Sequence, residues 1–514
     1  MIWRGVPLDI AMSEASLPRA KRLLPALALP EVDAIRTGLI VASVFFFAFA
    51  MVSVTDPDYW WHLRTGQIIV DNRAIPSSDP FSFTLAGKHW VAHEWLSEVF
   101  IYGTQSLGGY GLLVVLFATA ALGTLVLTYH ASLALGASRR AALVFFIWAG
   151  LMTVPYWTVR PQVFTWLLFA AFIAVCLQHH SGGKNRLWLL PPLMVVWTNL
   201  HLGHVFGLAV VGIYASSLVF ERVVWKEQRS FKPVLITLGA CIAATLLTPS
   251  PIELLIYPLE YMKPGNTNLA MIKEWQSPDF HSALFAPLAL AMLSLVAMGV
   301  FGKRRDIFLP LLVLLFGLLT LQSVRNQPLF AVVFMLAGST RVSELWGWAS
   351  PVNHGPVSRG HTAINLALVS LLAATVVWIL ASSPNLQLHA SARLEGGVGY
   401  PRDGAHFVRD NYPAARVFNH YNWGGYLINE LYPMKVFIDG RSDFYGDKLM
   451  TDFRDVQRMQ PGWQDVVARH DIEVFLIEDD TPLSARLDAE PEKWRRVFTG
   501  PVEAVFVRSD ITKQ

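Results

Sequence analysis

The sequence predicts an α-helical polytopic membrane protein of about eleven spans, followed by a smaller α/β domain outside the membrane. Three observations predict it. Of the 514 residues, 53% are hydrophobic and only 15% charged, against roughly 25% charge in soluble domains. Apolar runs near the ~20 residues needed to cross a bilayer recur with short polar breaks. After Pro384 the composition turns abruptly to that of a soluble domain.

Residues 1–36 are polar and read as a cytoplasmic lead-in to an uncleaved first anchor, not as a cleavable signal peptide. The expected spans cover 37–54, 110–135, 141–157, 161–178, 187–199, 203–221, 233–250, 282–302, 306–322, 327–346 and 362–382. Residues 37–382 thus form the transmembrane domain, 55–109 a large first outer loop, and 383–514 the extracytoplasmic domain. Net charge is +3 with no basic stripe outside the loops, so no nucleic-acid partner is expected. Cys176 and Cys241 lie in apolar runs and read as small core residues.

Orientation follows from the basic residues. Alternate breaks hold Arg19, Lys21, Arg22 and Arg36, then Arg139 and Arg140, Lys184 and Arg186, Arg222 to Lys232, Lys303 to Arg305, and Arg341 with Arg359. The positive-inside bias places this set, with the N-terminus, in the cytoplasm of a cell-membrane protein. An odd number of spans leaves the C-terminal domain outside, on the face of the first loop.

That loop carries most of the polar chemistry, in DPDYWWHLRTGQ and the stretch ending VAHEWLSE. Asp56 and Asp58 serve either as caps of a helix starting near Tyr59 or as a catalytic or metal-binding pair. Trp60, Trp61, Trp90 and Trp95 fit an interfacial aromatic belt, or stack on a sugar ring. His93 and Glu94 resemble an acid-base or metal pair, although a lone HE lacks the second His of a metalloprotease motif. The segment from Glu94 to Gln105 is expected to lie in the interface.

Three arginines on this face run against the positive-inside rule: Arg64, Arg160 before Pro161, and Arg325 in SVRNQP. Each needs an anionic partner, either a structural carboxylate or headgroup, or a bound phosphate or pyrophosphate that an Arg fork matches. Asn199, His201 and His204 mark a sharp turn that caps broken helices or lines a cavity. The loop 251–281 contains IKEWQSPDFH, whose Glu274 either is solvated or completes a metal site begun by Asp58.

In the C-terminal domain, strands are expected at 415–420, 435–439, 472–477 and 503–508, with helices at 402–411, 446–459 and 463–470. NHYNWGGYL places Gly424 and Gly425 after a strand, where the backbone can approach closely, and FIDGR puts Asp439 and Arg441 at a strand end. These features are either a turn and a hairpin corner or part of a site.

An acidic first loop after the first span, many spans and a C-terminal outer domain together resemble the GT-C superfamily of membrane glycosyltransferases. DYWWHLR is similar to the first-loop pattern of the oligosaccharyltransferase catalytic subunit and singles out Asp58 and Arg64, and PSSDPFSFTLAG, with Asp79, looks like its continuation. NWGGYL followed by VFIDGR is similar in layout to that family's WWDYG segment. Two departures stand out: the WWD triplet is replaced by Tyr421, Asn422 and Trp423, and TVPYWTVRPQ has no DxD. Peptide-sequon recognition is therefore not expected, and the motif set looks more like bacterial multispanning predicted glycosyltransferases.

The resemblance implies transfer of a sugar from a polyprenyl-phosphate or pyrophosphate carrier to a glycan, lipid or protein acceptor on the outer face. Asp58, with Asp56 and Glu274, would be catalytic. Arg64, Arg160 and Arg325 would bind the donor phosphate. Trp60, Trp61, His93, Glu94, Asn422, Trp423, Asp439 and Arg441 would contact acceptor or sugar. Asp58 and Glu274 would hold a divalent cation, Mg or Mn. A transporter or flippase of lipid-linked sugars and a non-catalytic assembly subunit are the alternatives.

Overall fold

The computed structural model describes residues 33–51, 56–260, 271–299, 306–346 and 399–513, with parts of 360–374. In chain order the helices are α1 (Ala34–Met51), α2 (Tyr59–Asn72), α3 (Trp95–Ala134), α4 (Arg139–Thr153), α5 (Gln162–His180), α6 (Leu190–Leu200), α7 (His204–Val224), α8 (Lys232–Ala244), α9 (Pro251–Glu260), α10 (Ala286–Met298), α11 (Phe308–Gln322) and α12 (Gln327–Leu345). Ten of the expected apolar runs lie on these helices. The eleventh, 362–382, falls largely outside the described residues, as do Arg19 to Arg22, Lys303 to Arg305, Arg359 and nearly all of 1–36.

Among the described residues, four helices are long and apolar enough to cross a membrane: Trp95–Ala134, Gln162–His180, His204–Val224 and Val324–Leu345, the last joining a 3-10 turn to α12. Several shorter apolar helices accompany them. Proline in the first turn of α6, α8, α10 and α12 starts each where a missing N–H does no harm. Ser138 caps α4 by accepting from the Ala141 N–H.

Helix α3 has 40 residues, so a straight rod would reach about 60 Å, twice a hydrocarbon core. It is not straight. Gly108 and Gly109 leave helical geometry, Gly109 with φ of 68°, and separate Trp95–Leu107 from the apolar remainder. The first part packs tightly on α2: a Cβ at Gly66 would stand 2.1 Å from the Glu98 carbonyl oxygen. The expected separate segment is thus a kinked extension of the second span.

Among the described residues, the basic break at Arg139 and the turn that carries Arg160 lie at opposite ends of the bundle. Arg139 pairs with Asp33 at 2.6 Å beside the start of α1, whereas α5 begins beside Arg160 and ends at His180. Cys176 and Cys241 are buried and free.

The C-terminal domain is a four-stranded mixed sheet of order β1-β2-β4-β3, with β1 (Val417–Asn419), β2 (Val474–Glu478), β3 (Trp494–Thr499) and β4 (Glu503–Arg508). Helices α13 (Arg402–Asn411), α14 (Gly424–Leu431), α15 (Ser442–Gln457), α16 (Trp463–Arg469) and α17 (Pro482–Asp488) complete it. The strand expected at 435–439 stays outside the sheet: Val436 makes isolated bridges to Ser82 and Val417, and the Phe437 and Ile438 carbonyls accept from the Thr84 and Asn419 side chains. This segment stitches the first loop to the domain. Strand β3 escapes the sequence pattern because Arg495 and Arg496 interrupt it, as charges often do on an edge strand.

Candidate active site

Four turns, distant in sequence, meet beside the start of α2. Asp56 and Asp58 come from the link between α1 and α2, Arg160 from the turn between α4 and α5, Glu274 from the 3-10 turn Lys273–Trp275, and Arg325 from the 3-10 turn Val324–Asn326. The last two turns are tied together, since Val324 N–H donates to the Gln276 carbonyl at 3.0 Å and Ser323 Oγ to the Glu274 carbonyl at 2.9 Å.

Arg160 is the hub. Its Nη2 donates to Asp58 Oδ2 at 2.8 Å, its Nη1 to Glu274 Oε1 at 2.6 Å, and its Nε lies 3.4 Å from Asp56 Oδ2. Arg325 approaches the other Glu274 oxygen at 3.7 Å and lies over the Trp275 ring at 4.9 Å. Asp58 stands at the N-cap position of α2 without capping it. Its Oδ1 instead accepts from Trp61 Nε1 at 3.2 Å, while Asp56 Oδ1 accepts the Asp58 N–H at 3.0 Å.

Three acids around one guanidinium leave the cluster rich in negative charge. Burial, with Asp58 and Glu274 adding repulsion that Arg160 only partly offsets, pushes the Asp56 carboxyl up to about 7. Asp58 is raised by burial too, with Arg160 opposing and Glu274 adding. Burial also works against Glu274, but Arg160 and Arg325 outweigh it and hold that carboxyl below its ordinary value. A proton on the Asp56–Asp58 pair and a charged Glu274 follow.

The expected divalent cation at Asp58 and Glu274 meets a different arrangement. Both carboxylates turn an oxygen toward Arg160, so its guanidinium takes the place between them that an ion would need. The residues present fit an arginine, not a metal.

The C-terminal domain roofs the cluster. A Cβ on Gly440 would stand 1.8 Å from Asp58 Oδ1, and one on Gly425 would stand 2.6 Å from the Pro57 carbonyl oxygen. Tyr421 OH donates to the Gly440 carbonyl at 3.2 Å. Glycine at these points lets the backbone lie against Asp58, as the expectation of close approach at Gly424 and Gly425 requires.

Several expected ligand-binding residues have other positions. Trp60 and Trp61 are buried and form no interfacial belt: Trp60 packs edge-on to Tyr400 and Tyr426, and Trp61 holds Asp58. Trp90 is buried as well, and Trp95 Nε1 donates to Asn199 Oδ1 at 2.8 Å. Arg64 is turned to the C-terminal domain, donating to Gln67 Oε1 at 2.7 Å and to the Asn429 carbonyl, over the Tyr432 ring. Trp423 is fully buried and donates to the Gly399 carbonyl at 3.1 Å, whereas Asn422 is exposed. Asp439 and Arg441 are core residues. Arg441 Nη2 bonds Asp439 Oδ2 at 2.7 Å and Asp79 Oδ1 at 2.9 Å, boxed by Phe81, Trp90 and Phe444. The pair clamps the first loop to the domain.

His93 and Glu94 open a second polar chain. Glu94 lies 3.6 Å from His62 Nε2, 3.4 Å from His201 Nε2 and 4.0 Å from His93 Nε2, and His62 Nδ1 lies 3.5 Å from Glu98 Oε1. Burial raises Glu94 and, with Arg160 and other cations, holds His62 and His201 neutral. His201 also accepts the Gly203 N–H at 2.9 Å, so it caps the break before α7. The sequence marks His62 as a base in the opening segment and Tyr421 as part of the replaced triplet without giving either a place in the site, and it leaves Glu98 unread. The four-residue spacing of Glu94 and Glu98, one helical turn, is the signal that points to Glu98.

No family model and no curated protein matches the chain. Among solved structures, oligosaccharyltransferase AglB from Archaeoglobus fulgidus, in complex with an inhibitory peptide and a dolichol-phosphate, is similar with a TM-score of 0.53 at 10% identity, over 92% of this chain and 74% of that one. The same organism's oligosaccharyltransferase tethered with an acceptor peptide gives 0.52 at 12% identity, over 86% and 68%. Arabinofuranosyltransferase AftD from Mycobacteria gives 0.50 at 14% identity, over 92% of this chain and 41% of its own length. The chain therefore has the polytopic fold of the GT-C membrane glycosyltransferases.

Proposed function

We propose that the chain is a membrane glycosyltransferase that moves a sugar from a polyprenyl-phosphate or pyrophosphate carrier to a hydroxyl of a glycan, lipid or protein acceptor on the outer face of the cell membrane. In this reading residues 37–382 form the transmembrane domain, the N-terminus is cytoplasmic, and residues 383–514 cover the site from outside. The observation that carries it is Asp58, a largely buried carboxylate at the N-cap position of α2, held between Trp61 and Arg160 under Gly440. The solved relatives support the general kind of chemistry, for AglB was captured with a dolichol-phosphate and AftD is an arabinofuranosyltransferase.

The chemistry asks for a base and an anion site. The acceptor oxygen attacks the anomeric carbon, its proton passes to Asp58, and the bond from that carbon to the phosphate oxygen breaks. A positioned base of this kind contributes typically 10²–10⁴ in rate. The departing lipid phosphate gains negative charge, which Arg325 stabilises. Its side chain is 27% exposed and carries one long ion pair, so it can turn to a phosphate while Arg160 holds the acids.

Purified protein in lipid, given a pool of radiolabelled polyprenyl-linked sugars, tests the reading. Wild type transfers label, Asp58→Asn loses transfer while staying folded, and Arg325→Ala raises the KM for donor more than it lowers kcat. Absence of transfer with any donor, alongside unimpaired movement of lipid-linked sugar across the bilayer in all variants, would replace the enzyme with a flippase.

A further inference from the structure

At the other end of the bundle a second polar cluster is independent of this chemistry. His180 ends α5, Glu221 lies in the last turn of α7, and Asp306 precedes α11. One ligand atom from each lies within 4.8 Å of the other two, and His180 Nε2 and Asp306 Oδ1 are 3.9 Å apart. A first-row divalent ion with ligands about 2.0–2.2 Å away keeps neighbouring ligand atoms roughly 3–4.3 Å apart. The three side chains need only a small contraction to meet that spacing.

Glu221 supplies the second observation. Its side chain is 1% exposed and neither carboxylate oxygen has a well-formed hydrogen bond among the described residues, although the Ile307 N–H lies beside it. A buried carboxylate without hydrogen bonds is costly unless a cation reaches it. Arg229 Nη1 reaches it only at 3.9 Å while donating to His180 Nε2 at 2.8 Å. That bond is made to the ring nitrogen a metal would take. The Arg229 side chain is 47% exposed, so it stands over the site as a displaceable cation.

We infer that His180, Glu221 and Asp306 form a site for a divalent first-row transition metal that fastens α5, α7 and the start of α11 at the end of the bundle opposite Asp58. One imidazole with two carboxylates suits Zn, which imidazole favours, or Mn, which carboxylates favour. Helix α5 separates the site from Arg160 by roughly 27 Å, so the metal is structural and takes no part in chemistry at Asp58.

The test uses the full chain in nanodiscs, stripped with chelator and titrated with Zn or Mn, with bound metal counted by mass spectrometry and melting followed in parallel. Wild type binds one equivalent and melts higher with metal. Glu221→Gln and Asp306→Asn, each close to isosteric, weaken binding at least tenfold and abolish the metal-dependent shift, while the double variant Asp58→Asn, Glu274→Gln retains both. Arg229→Gln, which removes the competing cation, tightens binding. No saturable binding by wild type would overturn the inference. So would binding that survives Glu221→Gln and Asp306→Asn, or that is lost in the Asp58 and Glu274 variant instead.

Discussion

Arg160 Nη2 donates to Asp58 Oδ2 across 2.8 Å, joining the turn after α4 to the first residue before α2. The same guanidinium binds Glu274 and lies beside Asp56. Removing it leaves Asp56 and Asp58, both largely buried, with no close counter-charge while Glu274 keeps only the longer pair to Arg325, and breaking such a pair typically costs about 3–5 kcal/mol. Arg160→Met is therefore expected to lower the melting temperature sharply at neutral pH. Adding Asp58→Asn to that variant recovers part of the loss, which a double-mutant cycle measures. Arg160→Lys falls between, because an ammonium cannot fork to two carboxylates.

Asp56 predicts a pH dependence. Its carboxyl is raised from 3.8 to about 7 by burial, with Asp58 and Glu274 contributing. Between those two values the folded state holds a proton that the unfolded state has released, so stability falls as pH rises. Melting curves recorded from pH 4 to pH 7 should show this decline in wild type. Asp56→Asn should flatten it, and Asp56→Asn with Asp58→Asn should flatten it further, since Asp58 is raised as well. An unchanged slope in both variants would show that the acids do not share a proton.

Arg441 predicts how the two polar regions stay together. It pairs with Asp439 in its own segment and with Asp79 in the first loop. Arg441→Met strands both carboxylates in a site lined by Phe81, Trp90 and Phe444, and should cost about 3–5 kcal/mol. The loop 73–93 should then become sensitive to protease, and fragment sizes on a gel would report the cut. Asp79→Asn, which leaves one good pair intact, should loosen the loop less.

Legibility in the sequence followed the physical range of each signal. Apolar runs are local, so α1 and α4 to α8 fall within a few residues of expectation. The resemblance carried by DYWWHLR points to Asp58, which lies in the cluster around Arg160, and the positive-inside argument puts Arg160 and Arg325 on the same face. Which arginine meets which acid depends on turns some hundred residues apart, as with Asp58 and Arg160, and no spacing encodes that. Arg64 was misassigned for this reason: its partner, the Asn429 carbonyl, belongs to another domain. Trp60 and Trp61 look interfacial in sequence because tryptophan favours the headgroup region. A domain folded over α2 buries them instead, and only the tertiary structure reveals that roof.

Gly440 gives the sharpest test of the roof. A methyl group there would meet Asp58 Oδ1 at 1.8 Å and Trp61 Nε1 at 3.3 Å, so Gly440→Ala cannot be accommodated without moving the carboxylate or lifting the domain. Overpacking typically costs about 1–3 kcal/mol. The effect on transfer should be larger, since a base displaced by about 1 Å loses on the order of 10² in rate. Gly424→Ala is the matched control: its Cβ would meet the Ile438 carbonyl oxygen at 2.2 Å, a clash inside the domain. It should lower stability with a smaller change in kcat. Kinetics and melting of both variants separate the two roles. Equal loss of kcat at equal loss of stability would mean that Gly440 matters only for packing.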